Sequence, residues 1–494
     1  MGFRQFQGGA FILRGAACAR SKEGCSSARI IRSIPSLPVP SHSHFKPDVL
    51  AALAKTGPRY TSYPTADRLH EGFGPEQWEQ ALGARDAGQA LSLYVHIPFC
   101  DSVCYYCACN KVVTRHHERA ARYLAALARE MAMQAALLAN KATITQLHFG
   151  GGTPTFLSDA ELTRLMDDIR RYFHLSSQAE ISIEIDPRTV DAQRLDHLAQ
   201  LGFNRLSYGV QDFDPAVQQA IHRIQPYESV RDLMLAARDV GFASVNVDLI
   251  YGLPRQTAAS FARTVEQVNA LRPDRIALYA YAHLPTRFKP QRRIVGEDLP
   301  DPATRVALLA GAIKGFMDQG YIYIGMDHFA LPADSLARAC AQGSLHRNFQ
   351  GYTTEPDRDL LGIGVSAISQ LGRVYSQNHK DIDAYYEAID AQVLPVERGL
   401  SCSDDDLWRR RIIMDIMCRG HLDLAAASGQ DDPERVFARE LPQLRQLQAM
   451  GLLQLADGCL TVMEQGWFFV RAIAMVFDAH LRTAATPPGF SRIA

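Results

Sequence analysis

The sequence lacks any apolar run long enough to cross a bilayer, which needs roughly 18–20 consecutive residues. The nearest candidate, Trp467 to Leu481, is interrupted by Arg471 and Asp478 and reads as a buried or interfacial helix. An excess of either charge is also missing, since 52 basic residues face 53 acidic ones. That balance excludes the basic footprint of a nucleic-acid or anionic-membrane binder. There is no disulfide framework. The chain has 494 residues and ten cysteines, of which Cys100, Cys104, Cys107 and Cys109 sit together and the other six are scattered. This pattern points to metal binding in a reducing, cytoplasmic compartment rather than to a stapled secreted domain. Acid is nearly absent from residues 1–47, which hold seven Lys or Arg and a single Glu23. An Arg-rich, acid-poor leader is the composition of an organellar transit peptide. The simpler readings are a disordered tail or a start assigned too far upstream, and the stretch is set aside from the fold.

What the sequence does have, from about residue 91, is a rhythm of short strand-like runs and amphipathic segments. The strand candidates are Leu91–Phe99, Thr145–Phe149, Ala179–Asp186, Arg205–Gln211, Ser244–Ile250 and Arg275–Ala282. Between them, Leu162, Leu165, Met166, Ile169 and Phe173 recur at helical spacing, with Ser158 and Glu161 at capping-box spacing. A second helix is expected over Arg119–Ala139. Six βα units in a row predict an α/β fold, a partial (β/α)6 barrel of parallel strands. The strands alternate where strands covered on both faces should be continuously apolar. Ser182, Glu184 and Asp186 oppose Ile181, Ile183 and Ile185, and Ser244, Asn246 and Asp248 oppose Val245, Val247 and Leu249. In the fourth run Arg205, Ser207 and Gln211 oppose Leu206 and Val210. The lumen is therefore expected to be polar and to hold a polar ligand, with the chemistry near the strand C-termini. Tyr321–Gly325 suggests a further strand, Gly351–Gln370 reads as Gly-rich and irregular, and residues beyond about 400 as mostly helical. The expected organisation is a 48–90 segment covering the substrate, a 91–395 barrel and a smaller, mostly helical 396–494 domain.

The strongest motif is Cys100-Asp-Ser-Val-Cys104-Tyr-Tyr-Cys107, a C-x3-C-x2-C loop directly after the first strand. Three thiolates on one short loop can ligate three irons of a [4Fe–4S] cubane, leaving the fourth iron for an external chelator. A structural zinc site would want four ligands and usually two C-x2-C knuckles. Cys109 could supply a fourth, but its offset from Cys107 suits one closed site poorly. Gly150-Gly151-Gly152-Thr153-Pro154 follows the second strand, and its glycines allow close backbone approach to a ligand. Alone it is a weak motif. After a strand that follows the cysteine loop it becomes a specific ligand cradle.

In this order the motifs resemble the radical S-adenosylmethionine superfamily and, within it, the oxygen-independent coproporphyrinogen III oxidase family. Further matching stretches are Gly57–Thr65, Tyr94–Cys100, Asn110-Lys111, Ile183–Arg188, Tyr208–Phe213, Asp248–Pro254, Tyr281–Pro285, Gly325–Phe329 and His346–Thr354. The family usually has Gly where this chain has Ala108. The resemblance implies a cluster on Cys100, Cys104 and Cys107 and two molecules of S-adenosylmethionine. Tyr94, Gly151, Glu184 and Ile368 match positions that touch the first. Tyr106, Gly152, Thr153, Gln211, Arg223, Asp248 and Ala282 match those for the second. It further implies an external reductant such as a flavodoxin or ferredoxin, and a 5′-deoxyadenosyl radical that takes a β-hydrogen from a propionate of coproporphyrinogen III. Loss of CO2 and an electron then leaves a vinyl group, and two rounds give protoporphyrinogen IX. Cationic partners are expected for the four carboxylates; Arg59, Lys111, Arg115 and Arg347 are candidates, and the role of Cys109 stays open. Nothing suggests an obligate dimer, so a monomer is expected. The rival within the superfamily is a heme chaperone, which usually lacks the fourth cysteine followed by Asn-Lys and the Gly57–Thr65 stretch.

Overall fold

The computed structural model describes residues 57–483 except 87, 139–141, 356–358 and 430. The 1–47 extension and the first residues of the 48–90 segment lie outside the described residues. All six expected strands form: β1 Leu91–Ile97, β2 Thr143–Gly151, β3 His174–Ile185, β4 Arg205–Gln211, β5 Ser244–Tyr251 and β6 Arg275–Ala280. Each pairs in parallel with the next. Helices Arg119–Leu137, Asp159–Tyr172, Ala192–Gln200, Tyr227–Val240 and Ala258–Leu271 make the crossovers. The Ser158–Glu161 capping box closes as expected, with Ser158 Oγ accepting from the Glu161 amide. Four further strands flank one side, β9 Asp359–Ile363, β10 Ile368–Leu371, β11 Val374–Asn378 and β12 Val396–Ser401, while β7 Ile322–Gly325 and β8 His328–Ala330 extend the other. The order is β12-β11-β10-β9-β1-β2-β3-β4-β5-β6-β8-β7, a twelve-stranded sheet whose two ends do not pair, so the barrel is partial.

The alternation sorts as expected. Leu93, Val95, Ile97, Leu147, Phe149, Ile183, Leu206, Val245 and Val247 pack outward in one core with Leu124, Leu127, Met131, Leu165 and Met166 of the helices. Truncating Phe149 to Ala there is expected to cost about 3–5 kcal/mol. The opposite face carries Gln146, His148, Ser182, Glu184, Ser207, Asn246 and Asp248, which line a polar lumen. β4 departs from simple alternation. A bulge places Val210 as an extra residue, and Gln211 takes φ 68° at the strand end.

The expectation of an irregular Gly351–Gln370 is corrected. Gly351–Thr353 pairs with His346–Asn348, and β9 is a fully buried strand parallel to β1. The glycines there mark close approach, not irregularity. A Cβ at Gly362 would stand 2.6 Å from the Ile368 carbonyl oxygen of the neighbouring strand. The C-terminal region holds helices such as Asp404–Arg419 and Leu441–Ala449, and also a three-stranded antiparallel sheet of His421–Asp423, Cys459–Val462 and Leu453–Ala456. Its core takes in Tyr60 and Tyr63 from the N-terminal segment. Tyr60 donates to Asp478 at 2.9 Å, so the acid that interrupts the apolar 467–481 run has a specific partner. No helix among the described residues is long and apolar enough to cross a membrane.

Candidate active site

The cysteine loop leaves the C-terminal end of β1 and is fastened to the Gly-Gly-Gly segment leaving β2. Gly152 N–H donates to the Ile97 carbonyl and Thr153 N–H to that of Phe99, both at 2.8 Å. A Cβ at Gly152 would lie 2.6 Å from the Pro98 carbonyl oxygen. Glycine is therefore demanded at this position by the cysteine loop itself, which the sequence reading assigned to a ligand. The loop is braced further by Val112 N–H on Pro98 O, Thr114 N–H on Cys100 O and Tyr105 N–H on Ile221 O. Tyr105 stacks on His222, whose Nδ1 donates to the Val103 carbonyl.

Around the thiols, Thr153 Oγ1 lies 3.4 Å from Cys100 Sγ, and Arg223 and Arg188 point guanidinium nitrogens at Cys104 Sγ from 3.5 and 3.6 Å. Both arginines grip Asp186. Burial opposes ionisation of Asp186, but those two cations hold its carboxyl below the usual range. Arg223 is buried and also donates to the Gly209 carbonyl at 2.6 Å. The Cys109 thiol beside it holds Cys107 down at about 6, with help from Lys111, whose Nζ donates to the Cys107 carbonyl at 3.2 Å. Burial pushes Cys100 up to about 12, so it becomes a thiolate readily only beside a cation. Among the described residues no three His, Cys, Asp or Glu side chains converge on one point that suits a single metal ion.

Two cavities meet at this loop. The larger, about 560 Å³, is lined by Cys100, Cys104, Cys107, Cys109, Tyr106, Lys111, Gly151, Gly152, Thr153, Glu184, Gln211, Arg223 and Asp248. The smaller, about 410 Å³, is lined by Tyr94, His96, Cys109, Gly151, Glu184 and Ile368 among others. The residues expected for the first S-adenosylmethionine thus border one cavity, and those expected for the second border the other, except Ala282. Ala282 lines neither; its carbonyl accepts from Gln291, which also donates to the Tyr106 carbonyl. In the smaller cavity His96 Nε2 must donate to the Asn110 carbonyl, leaving Nδ1 to accept from Tyr94 O–H at 3.0 Å. Burial, then the neighbouring Glu184, pushes Asp248 up to about 6 against the bonds from Asn246 and Ser207. Cys109 is exposed within both cavities.

Three expected substrate residues lie elsewhere. Arg115 is exposed and borders neither cavity. Arg59 and Arg347 are drawn together behind Tyr279, Arg347 Nε donating to the Arg59 carbonyl at 3.3 Å. Tyr279 itself borders both cavities and the lumen, as the sequence reading missed. Alternation carried onto β6 would have found it, since Arg275, Ala277 and Tyr279 share the lumen face. Asp186 and Arg188 were within a matched stretch but unassigned, because no spacing rule ties them to Cys104.

A model of the radical SAM superfamily matches residues 94–268, and one of the HemN C-terminal domain matches residues 402–469. The oxygen-independent coproporphyrinogen III oxidases of Pseudomonas aeruginosa and Escherichia coli K12 are each 48% identical to this chain, covering 88% and 89% of it and 95% and 96% of their own lengths. This chain belongs to that family. A solved structure, the E. coli coproporphyrinogen III oxidase (HemN) described as a radical SAM enzyme, superposes with a TM-score of 0.83 at 47% identity, covering 86% of this chain and 98% of that one. Membership of the oxidase family implies a [4Fe–4S] cluster and S-adenosylmethionine. The donor set fits them: three thiols on a braced loop, and two cavities beside it whose linings carry Glu184, Gln211, Arg223 and Asp248.

Proposed function

We infer that this chain catalyses the oxygen-independent conversion of coproporphyrinogen III to protoporphyrinogen IX, turning two propionate side chains into vinyl groups in heme biosynthesis. The observation that carries the reading is the continuity of the cysteine loop with two polar cavities that share Gly151, Glu184 and Cys109. When bound, the cluster and S-adenosylmethionine supply a 5′-deoxyadenosyl radical. Cys100, Cys104 and Cys107 would hold three of its irons, and the N–H groups of Arg188 and Arg223 stabilise negative charge on the Cys104 sulfur.

Tyr94, Gly151, Glu184 and Ile368 would hold one S-adenosylmethionine, and Tyr106, Gly152, Thr153, Gln211, Arg223, Asp248 and Ala282 would hold a second. Glu184 and Asp248 have the chemistry to accept from ribose hydroxyls or balance the sulfonium. The residues have no acid–base step to perform; they orient the reacting carbon and exclude water and oxygen. Lys111, at the cavity wall, offers an ammonium to a substrate carboxylate. The reductant is an external carrier such as a flavodoxin or ferredoxin, and the enzyme works as a cytoplasmic monomer. Anaerobic incubation of the cluster-loaded protein with S-adenosylmethionine, a reductant and coproporphyrinogen III, followed by chromatography, should give protoporphyrinogen IX with two 5′-deoxyadenosines per substrate. Intact coproporphyrinogen beside freshly formed 5′-deoxyadenosine would overturn the substrate assignment.

A further inference from the structure

Behind Tyr279 lies a buried guanidinium, that of Arg347, which is only partly hydrogen-bonded. Arg347 is only 7% exposed, and its Nη1 has no hydrogen-bond partner among the described residues. A buried guanidinium nitrogen left in that state is costly unless something arrives to bind it. Arg59 lies beside it over the Tyr279 ring, 5.3 Å from the centroid, and pairs with Asp327. Arg471, also buried, approaches from the C-terminal region, donating to the Gly57 carbonyl at 3.3 Å. Burial, then Arg471 and Arg347, depresses Arg59 to about 10, which shows how closely the three cations crowd. His328, half-buried nearby, is held neutral by desolvation and by Arg347 and Arg59, so it adds no charge of its own. Tyr352 and Tyr279 present their faces to Arg347 and Arg59, leaving the guanidinium edges for a ligand. Tyr279, Tyr352 and His328 line the lumen, so the three cations lie behind its wall.

We propose that Arg347, Arg59 and Arg471 form an anion subsite for a carboxylate of the substrate, with Arg347 as its main anchor. The subsite is assembled from three parts of the chain: the N-terminal segment, the His346–Thr353 hairpin and the helix Val470–Met475. The C-terminal domain thereby contributes directly to substrate recognition. This rests on the coproporphyrinogen reading, since a tetracarboxylate is the ligand it would take. Bidentate pairing with a guanidinium is the geometry a propionate offers.

The test compares coproporphyrin III with its tetramethyl ester, which keeps the macrocycle and loses the anions. The tetra-acid should raise the melting temperature of the wild-type protein well above the shift given by the ester. Arg347→Gln and Arg471→Gln should raise the Kd for coproporphyrin III and the KM for coproporphyrinogen III by roughly tenfold or more, leaving iron content and S-adenosylmethionine binding intact. Arg347→Lys should recover part of the affinity. Equal stabilisation of the wild type by acid and ester overturns the subsite, and that arm decides the matter even where a variant fails to fold. Folded variants with unchanged Kd and KM overturn it equally. If the acid is preferred through Arg347 but the wild type makes no protoporphyrinogen, the subsite stands and the catalytic reading falls.

Discussion

Two groups of arginines, one beside the cysteine loop and one behind Tyr279, are built differently. Beside the cysteine loop, Arg188 and Arg223 share Asp186, and their remaining N–H groups reach the Cys104 sulfur and the Gly209 carbonyl. Every charge there has a partner within the chain. Behind Tyr279, Arg59 has Asp327, but Arg347 keeps a buried nitrogen without one. The first group is a finished network that serves a resident sulfur; the second is an unfinished one, suited to an anion that comes and goes. The lesson is that a buried cation's role is read from what its hydrogen bonds leave over.

The comparison can be broken hardest at the sulfur. Cys104→Ser should abolish activity and cluster assembly, measured as iron and sulfide content after anaerobic reconstitution. Next comes the finished network. Arg223→Met removes two of the donors to the Gly209 carbonyl and half-uncovers the charge of buried Asp186, at a cost of about 3 kcal/mol in urea denaturation. Gly152→Ala tests the fastening beneath it: the added methyl pushes on the Pro98 carbonyl, costing about 2 kcal/mol and lowering iron incorporation. A subtler effect concerns Asp248, which lies between the two groups. Its folded pKa of about 6 exceeds its ordinary value of 3.8, so its contribution to stability is present below 3.8 and is lost as pH rises through 6. Asp248→Asn should therefore gain stability relative to wild type as pH rises from about 4 to about 7. S-adenosylmethionine affinity, if ionised Asp248 serves it, falls in the wild type as pH drops through 6 and is flat in the variant; titrations by equilibrium dialysis check both. The smallest effect is expected at exposed Arg115, where Ala should change stability by no more than about 0.5 kcal/mol and leave KM unaltered.

Much of this was legible because the barrel's logic is local. The 2-residue alternation in β1 to β5 marks the lumen without reference to any distant partner, and the cysteine and glycine motifs follow strands that the same pattern locates. Where the partner is far along the chain, the signal is lost. β9 pairs with β1 across some 270 residues, and nothing within Asp359–Ile363 announces a parallel partner. The convergence of Arg59, Arg347 and Arg471 depends on the N-terminal segment threading Tyr60 and Tyr63 into the C-terminal core, a contact that no periodicity encodes. The crowding of three guanidinium groups appears only once they are seen side by side. Gly152 was found for one reason and is required for another, because a sequence cannot say which backbone crosses above a glycine.

The central claim, that the chamber brings a propionate side chain of the substrate against the radical source, is tested most directly by isotope transfer. Coproporphyrinogen III deuterated at the propionate β-carbons is turned over anaerobically, and the 5′-deoxyadenosine is weighed by mass spectrometry. Deuterium in the 5′-deoxyadenosine, matched to vinyl formation, is the predicted result. Unlabelled 5′-deoxyadenosine with the propionates intact would contradict it.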